Sequence, residues 1–326
     1  MSRRLIDFAS GKPLLDIASY ARRGPGRRDR LSQGEIELIE RTVRRTPEVM
    51  VKVLSRGGQD LKSVARHLAY LNRGGDVEIE TDDGQRLSGK GVEKELLDDW
   101  DLDLEQRRTG GTEYWSRRNP PKPVHKLMFS MPAGTPPNRV LSAVKNFARE
   151  EFGLKHRYAM VLHTDEPHPH VHMVVKAVSE QGERLNIRKA TLREWRREFA
   201  RHLRALGIPA NATERAVRGQ VTPPTLDGIY RAACRGESAF LRDRLLALTK
   251  GNVGARLGVA RLSDTRHAVA DGWTAVADHL AQEGRVGLSL LARSFLHEMA
   301  PVATQNEQLL ARRQATSART IGDPFR

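Results

Sequence analysis

Residues 161–175 read VLHTDEPHPHVHMVV, and this stretch governs how the rest of the chain is interpreted. Four of the eleven histidines fall inside it: His163, His168, His170 and His172. Apolar–polar alternation predicts a strand over Arg157–His163 and another over Pro169–Val178, joined by Thr164–His168. Side chains alternate faces along a strand, so His170 and His172 share one face while Val171 and Met173 take the other. His163 ends the preceding strand, and a short connection returns it beside the His-x-His pair. Three imidazoles meeting on one sheet face make a metal site with at least one open position. The plain alternative is a chance histidine cluster on a polar strand. His168 is surplus to the set; placed in the connection, it supports the ligands from outside or faces substrate. The same hairpin sets Asp165 beside the cluster.

Charge names the class of partner. The 326 residues hold 55 Lys and Arg against 40 Asp and Glu, a formal net charge of +15. The usual partner of such a protein is nucleic acid. Hydrophobic residues make up 39%, and no run of about 18 apolar residues exists, so no membrane insertion is expected. The first residues alternate Arg, Gly and acids without an apolar segment, so no secretory signal is expected. The expectation is a soluble, cytoplasmic protein. The single cysteine, Cys234, excludes a disulfide framework and a Cys-based zinc site, leaving histidine as the soft ligand.

The charge is uneven. Asp76–Glu105 holds twelve acids against three bases, a local −9, so the remainder carries +24. Arg184–Arg218 holds ten Arg or Lys against three Glu, a local +7. A polyanion is repelled by the first stretch and drawn to the second; both are also consistent with ordinary solvated helix faces.

Residues 1–30, with Arg22, Arg23, Arg27, Arg28 and Arg30 around Gly24-Pro25-Gly26, read as a basic arm, followed by a short helix near Gln33–Arg45. Glu48–Ser55 reads as a strand. Asp60 caps a helix to about Asn72 whose stripe is Leu61, Val64, Leu68 and Leu71. Val77–Thr81 and Gln85–Ser88 form a hairpin around Asp82-Asp83-Gly84. An acidic helix is expected over Glu93–Glu105, a Gly- and Pro-rich loop over Thr109–Pro123, and a strand over Val124–Met131. A helix begins at Thr135 with Pro136-Pro137 and runs to Gly153. Thr191–Leu206 is a further helix, with Thr191 and Glu194 as a capping box and arginines on its outer faces. After Pro223-Pro224 the composition turns Ala-, Leu- and Arg-rich and helical. The expected division is an arm with a short helix over 1–47, a central α+β domain over 48–222, and a helical region with a loose basic tail over 223–326.

A tri-histidine cation with free positions can polarise a phosphoryl oxygen, and its positive charge suits a phosphodiester. The nucleophile is then water or a tyrosine. Of the five tyrosines, Tyr70 lies about 130° from the centre of its helix's apolar stripe, at ~100° per residue, and close to an exposed helix end. Tyr158 reads as core and Tyr20 lies in the arm. Tyr114, beside Trp115 in the Gly-Pro loop, is the rival and could instead stack on a base.

The segments LAYLNRGGDVEIE (68–80), HKLMFSMPAGT (125–135) and HTDEPHPHVHMVV (163–175) resemble, in sequence and order, the three motifs of conjugative DNA relaxases of the MOB-P class, members of the HUH endonuclease superfamily. The first motif's tyrosine setting is met by Tyr70-Leu71-Asn72-Arg73. The third is met by His163-Thr164-Asp165 through Pro169-His170-Val171-His172. The second motif's serine is met by Ser116 or Ser130. The resemblance covers roughly residues 48–220.

It implies an α+β fold: the HUH palm, a central antiparallel sheet flanked by helices, here followed by a helical C-terminal region. It also implies a site- and strand-specific nick at a transfer origin. Tyr70 would attack the scissile phosphate and form a covalent 5′-phosphotyrosine, aided by Mg²⁺ or Mn²⁺ on His163, His170 and His172. Imidazole ligands suit zinc equally. Asp165 would act as a base or orient a ligand imidazole. Arg73 is expected to contact DNA, as are Arg188, Lys189, Arg193, Arg196 and Arg197 in and before the arginine-bearing helix. The implied partners are single-stranded DNA at the origin, relaxosome accessory proteins and a type IV secretion coupling protein, with export alongside the bound strand. Alternatives are an HUH nuclease of rolling-circle replication or transposition, or a non-catalytic DNA-binding accessory protein. The absence of a GxxxxGK[ST] motif and a tyrosine preceding the His motif favour the relaxase.

Overall fold

The computed structural model describes residues 31–54, 60–102, 122–220, 235–249 and 256–299, with short pieces at 17, 229, 232–233, 306–307 and 309–310. The arginines of the basic arm, most of the Thr109–Pro123 loop with Tyr114 and Ser116, and the terminal arginines lie outside them. Chain contacts divide the molecule into two units: Arg45–Ala212 belongs to one, and residues 31–44 with those from Thr213 onward belong to the other.

The first unit is built on a six-stranded, fully antiparallel sheet. Its strands are β1 (Met50–Val53), β2 (Ile79–Thr81), β3 (Arg86–Leu87), β4 (Val124–Ser130), β5 (Tyr158–His163) and β6 (His170–Lys176), in spatial order β1-β4-β6-β5-β2-β3. The two central strands β6 and β5 are buried along almost their whole length on both faces, as strands covered on both sides must be. Two helices cover each face. On one side, α4 (Pro137–Glu151) and α5 (Lys189–Ala205) bury Phe147, Trp195, Phe199 and Leu203 against Phe129, Val171, Met173 and Val175. The Trp195 Nε1–H donates to Glu151 Oε1 across 3.0 Å, which satisfies the one polar atom of that buried indole.

On the other side lie α2 (Leu61–Leu71) and α3 (Val92–Asp99), whose Val64, Leu68, Leu71, Val92 and Leu96 pack on Val124, Ala159, Val161 and Val174. The helix α2 forms as expected: Asp60 Oδ1 accepts from Ser63 N–H at 2.6 Å, and the stripe at 64, 68 and 71 is buried. Its exit is fixed by Gly75, where a Cβ would lie 2.7 Å from the backbone of Gly89.

Two helices differ from expectation. The acidic helix stops at Asp99 rather than Glu105, because Trp100 and Leu102 turn into the core and Asp101 adopts a left-handed φ of 51°. Helix α5 starts at Lys189, so Thr191 lies inside its first turn. The Thr191 hydroxyl accepts from Arg188 N–H at 3.2 Å, and Glu194 pairs with Arg197 rather than closing a capping box.

The second unit is helical: α1 (Gln33–Val43), α6 (Ala239–Thr249), α7 (Arg256–Gln282) and α8 (Val286–His297). Its core joins Ile36, Ile39 and Val43 of α1 to Trp273, Val276 and Leu280 of α7 and Phe295 of α8. Helix α1, grouped with the arm by composition, is thus a structural member of the C-terminal helical unit. Ser32 and Glu35 form its capping box. No helix among the described residues is long and apolar enough to cross a membrane.

Candidate active site

Sheet register assembles the histidines. His163 on β5 pairs directly with His170 on β6, and His172 pairs with Val161 on β5 and Met128 on β4. All three rings therefore stand on the face covered by α2 and α3. Ring centroids are 5.4 Å apart for His163–His170, 5.0 Å for His163–His172 and 5.2 Å for His170–His172. One nitrogen from each lies within 4.8 Å of the others.

Main-chain carbonyls orient two of the three imidazoles. The His163 Nε2–H donates to the carbonyl of Leu71 at 2.8 Å, leaving Nδ1 free. The His170 Nδ1–H donates to the carbonyl of His168 at 3.0 Å, leaving Nε2 free. Backbone acceptors of this kind fix the tautomer of metal-binding histidines. His172 is 9% exposed, and its buried Nδ1 has no hydrogen-bond partner. Burial, then the neighbouring His163 and His170, push the His172 pKa down to about 3. Burial also lowers that of His163, outweighing the Leu71 carbonyl. Three nitrogen donors on one face, two with second nitrogens committed, fit a divalent cation.

His168 supports the cluster through its main-chain carbonyl; its side chain is exposed. Asp165 is not hydrogen-bonded to any of the three imidazoles; the carbonyls of Leu71 and His168 take the orienting role that the sequence reading offered it. The Asp165 carboxylate instead pairs with Arg73.

The same helix end presents Tyr70, 58% exposed where the buried stripe on α2 is nearly fully enclosed. Its ring is in contact with a guanidinium and an imidazole. The Arg73 guanidinium carbon is 5.1 Å from the ring centroid, and the His67 imidazole stacks at 6.4 Å with a 17° interplanar angle. His67 in turn meets His172 edge-on at 6.5 Å. Burial and then Lys126 lower the His67 pKa to about 4, so this ring is neutral at physiological pH. Arg73 holds a φ of 54°, outside the usual region for a side-chain-bearing residue. Tyr70 is thus joined to the histidine motif twice, through Arg73–Asp165 and through His67–His172.

Sequence reading missed His67, although its helical spacing of three from Tyr70 signals contact. Ser130 pairs with His170 across β4–β6 and stands on the histidine face. The arginine-bearing α5 packs on the opposite face. Arg196 lies 3.8 Å from Glu48, Arg197 pairs with Glu194, and Arg201 bridges Glu150 and Glu198. Arg188, Lys189, Arg193, Arg196 and Arg197 are therefore not brought to the histidine face. A second group, Glu150, Glu198 and His202, also gathers ligand-type atoms, but the Arg201 guanidinium already pairs with both carboxylates.

Residues 83–208 match the family model described as Relaxase: MobA/VirD2-like, nuclease domain. That span holds β4, β5, β6 and all three histidines, and begins after Tyr70. Over 217 residues the chain is 25% identical to the T-DNA border endonuclease VirD2 of Agrobacterium fabrum, covering 60% of this chain and 46% of that protein. The chain therefore spans less than half the length of that relative.

Proposed function

We infer the chemistry of this site from the premise that the chain carries a relaxase nuclease domain of the MobA/VirD2-like family over residues 83–208. Such a domain nicks DNA. The finer reading is a strand transfer on single-stranded DNA at a transfer origin, with Tyr70 as nucleophile. The observation that carries it is the placement of an exposed tyrosine at the end of a helix whose next carbonyl, Leu71, is bonded to His163.

In this reading the Tyr70 oxygen forms a bond to phosphorus as the bond from phosphorus to the 3′ oxygen breaks. The phenolic proton passes to Asp165, the nearby carboxylate, and a proton is returned to the departing 3′ oxygen. The product is a 5′-phosphotyrosine and a free 3′ hydroxyl. Ester is exchanged for ester, so the strand is rejoined by the reverse step without ATP. His163, His170 and His172 would hold a divalent metal, which would supply charge stabilisation of the phosphodiester. Mg²⁺ or Mn²⁺ suits that role in this family, and imidazole donors also admit zinc. His67 and Arg73 hold the phenol ring on either side, and Arg73 can also face a phosphate.

The same reading places the protein in the bacterial cytoplasm, in a relaxosome with accessory proteins, and delivers the covalently held strand to a type IV coupling protein. The test is a labelled single-stranded origin oligonucleotide incubated with Mn²⁺ and run on a denaturing gel. Wild type gives a slow-migrating covalent band. Tyr70→Phe gives none while still binding the oligonucleotide. An adduct that survives in Tyr70→Phe assigns the nucleophile elsewhere.

A further inference from the structure

Helix α2 carries a second pattern besides its buried stripe. Lys62, Arg66 and Tyr70 are all exposed and recur at intervals of four residues. Four residues advance an α-helix by about 6 Å and turn it by about 40° beyond a full circle, so the three side chains form one row. The row lies on the outer side of the helix, away from Val64, Leu68 and Leu71. Arg73, just past the helix end, closes it, with its guanidinium carbon 5.1 Å from the Tyr70 ring centroid. From Leu61 to Leu71 the helix contains no acid, and the Asp60 before it is engaged as its cap through Oδ1.

The two bases that lead up to Tyr70 are not spent inside the protein. The Arg66 Nε–H donates to the Lys62 carbonyl at 3.4 Å, and among the described residues no ion pair reaches either side chain. On other helices the surface bases are matched: Arg44 with Glu40 on α1, and Arg197 with Glu194 and Arg201 with Glu198 on α5. Those faces interleave acids with their bases, as solvated helix surfaces do; α2 does not. Unmatched cations on successive turns of one helix suit a ligand that carries negative charge at regular steps, which is a nucleic-acid backbone. The row is also placed for such a ligand. It ends at the tyrosine beside Leu71, whose carbonyl holds His163, so a strand lying on the row arrives at the histidine cluster.

We propose that Lys62 and Arg66 hold consecutive backbone phosphates of the single strand on one side of the phosphate attacked at Tyr70, so that this arm of the strand lies along α2. This rests on the reading of the site as one that takes single-stranded DNA with Tyr70 at the point of cleavage. It moves the DNA track from α5, where the sequence alone suggested it, to the helix that bears the tyrosine. The contacts are non-covalent, between the ammonium or guanidinium and the non-bridging oxygens. They fix the register of the strand on the protein and carry no base preference of their own.

The experiment uses the full chain, a fluorescein-labelled oligothymidylate and three double variants. Lys62→Gln with Arg66→Gln removes the charge of the row, and Lys62→Arg with Arg66→Lys keeps it. Arg149→Gln with Lys155→Gln removes the same charge from exposed positions before β5, at the far end of that strand from His163. Glutamine has a helix propensity close to that of lysine and arginine, so the first variant suits the helix. Fluorescence anisotropy over a salt series measures binding, and thermal unfolding without DNA measures stability. Removing the row's charge is expected to weaken binding on the order of tenfold and to flatten the log–log salt slope by about 1.4, two phosphate contacts at about 0.7 each. The unfolding temperature is expected to stay at the wild-type value. The charge-keeping swap and the distant pair are both expected to keep the slope. If the row variant binds with wild-type affinity and slope, the proposal is overturned and the DNA reading stands. An equal loss in the distant pair shows a response to net charge alone and also overturns it. A lowered unfolding temperature in the row variant, with the slope lost in the charge-keeping swap too, makes the row structural and overturns it. If wild type does not bind the oligonucleotide, the DNA reading itself fails and the proposal falls with it.

Discussion

His163 donates its Nε2–H to the carbonyl of Leu71 across 2.8 Å, a bond that spans 92 residues of sequence and ties the histidine cluster to the residue after Tyr70. The helix that carries Tyr70 and the strand that ends in His163 are thus registered by one buried hydrogen bond. The orientation of the His163 ring and the position of Tyr70 thus share a single constraint.

That constraint predicts the metal behaviour. Titration calorimetry with Mn²⁺ should give one site per chain in wild type and no measurable site in His172→Ala. Glu150→Ala should bind as wild type, since Arg201 occupies the second acidic group. Removing metal with a chelator should abolish the covalent adduct and restore it on Mn²⁺ addition.

Acid should loosen the metal-free nuclease unit. Burial holds His67 at about 4 and His172 at about 3, both below the ordinary 6.5. The folded state thus refuses protons that the unfolded chain accepts. Stability from these groups is complete above 6.5 and is lost as pH falls from there towards 4 and 3. For the well-buried His172 alone the loss is ~1.4 kcal/mol one unit below 6.5. Urea melts between neutral pH and the acid range measure it; a flat profile would contradict the burial of these rings.

Arg73 and Asp165 should act on rate more than on stability. Both side chains are partly solvent-exposed, so the pair contributes under about 1 kcal/mol to folding. Asp165→Asn should lower the single-turnover cleavage rate while oligonucleotide affinity and unfolding midpoint stay near wild type. Arg73→Lys should also be slow, because an ammonium cannot both cover the Tyr70 ring and pair with a carboxylate in the plane of a guanidinium.

The helical unit should respond to α1. Ile39 is fully buried with Trp273, Val276 and Phe295. Ile39→Ala should cost ~2–5 kcal/mol in that unit. Hydrogen exchange should speed up within Val269–Phe295 while the amides of β4 and β6 keep their protection; equal loss in both would show that the two units unfold together.

Much of the site was legible because strand alternation is local. The spacing of His170 and His172 requires a shared face, and the short connection after His163 requires its return. The stripe on α2 likewise put Tyr70 outside the core. What sequence reading could not supply was pairing across the chain. Asp165 looked suited to orient an imidazole, yet Leu71 and His168 offered carbonyls and Arg73 took the carboxylate. The arginines of α5 read as a candidate DNA contact, and Trp195 and Phe199 place that helix on the sheet face opposite the histidines. The acidic helix ended early because Trp100 found a core position that outweighed the helical run of its neighbours.

By itself the sequence determined the strands, the histidine set and the helix that carries Tyr70, since each follows from a period of two or about 3.6 residues. The tertiary structure decided which side of the sheet each helix covers, which residues orient the ligands, and where α1 belongs. Those outcomes depend on contacts between residues far apart in the chain, and local periodicity contains no information about them.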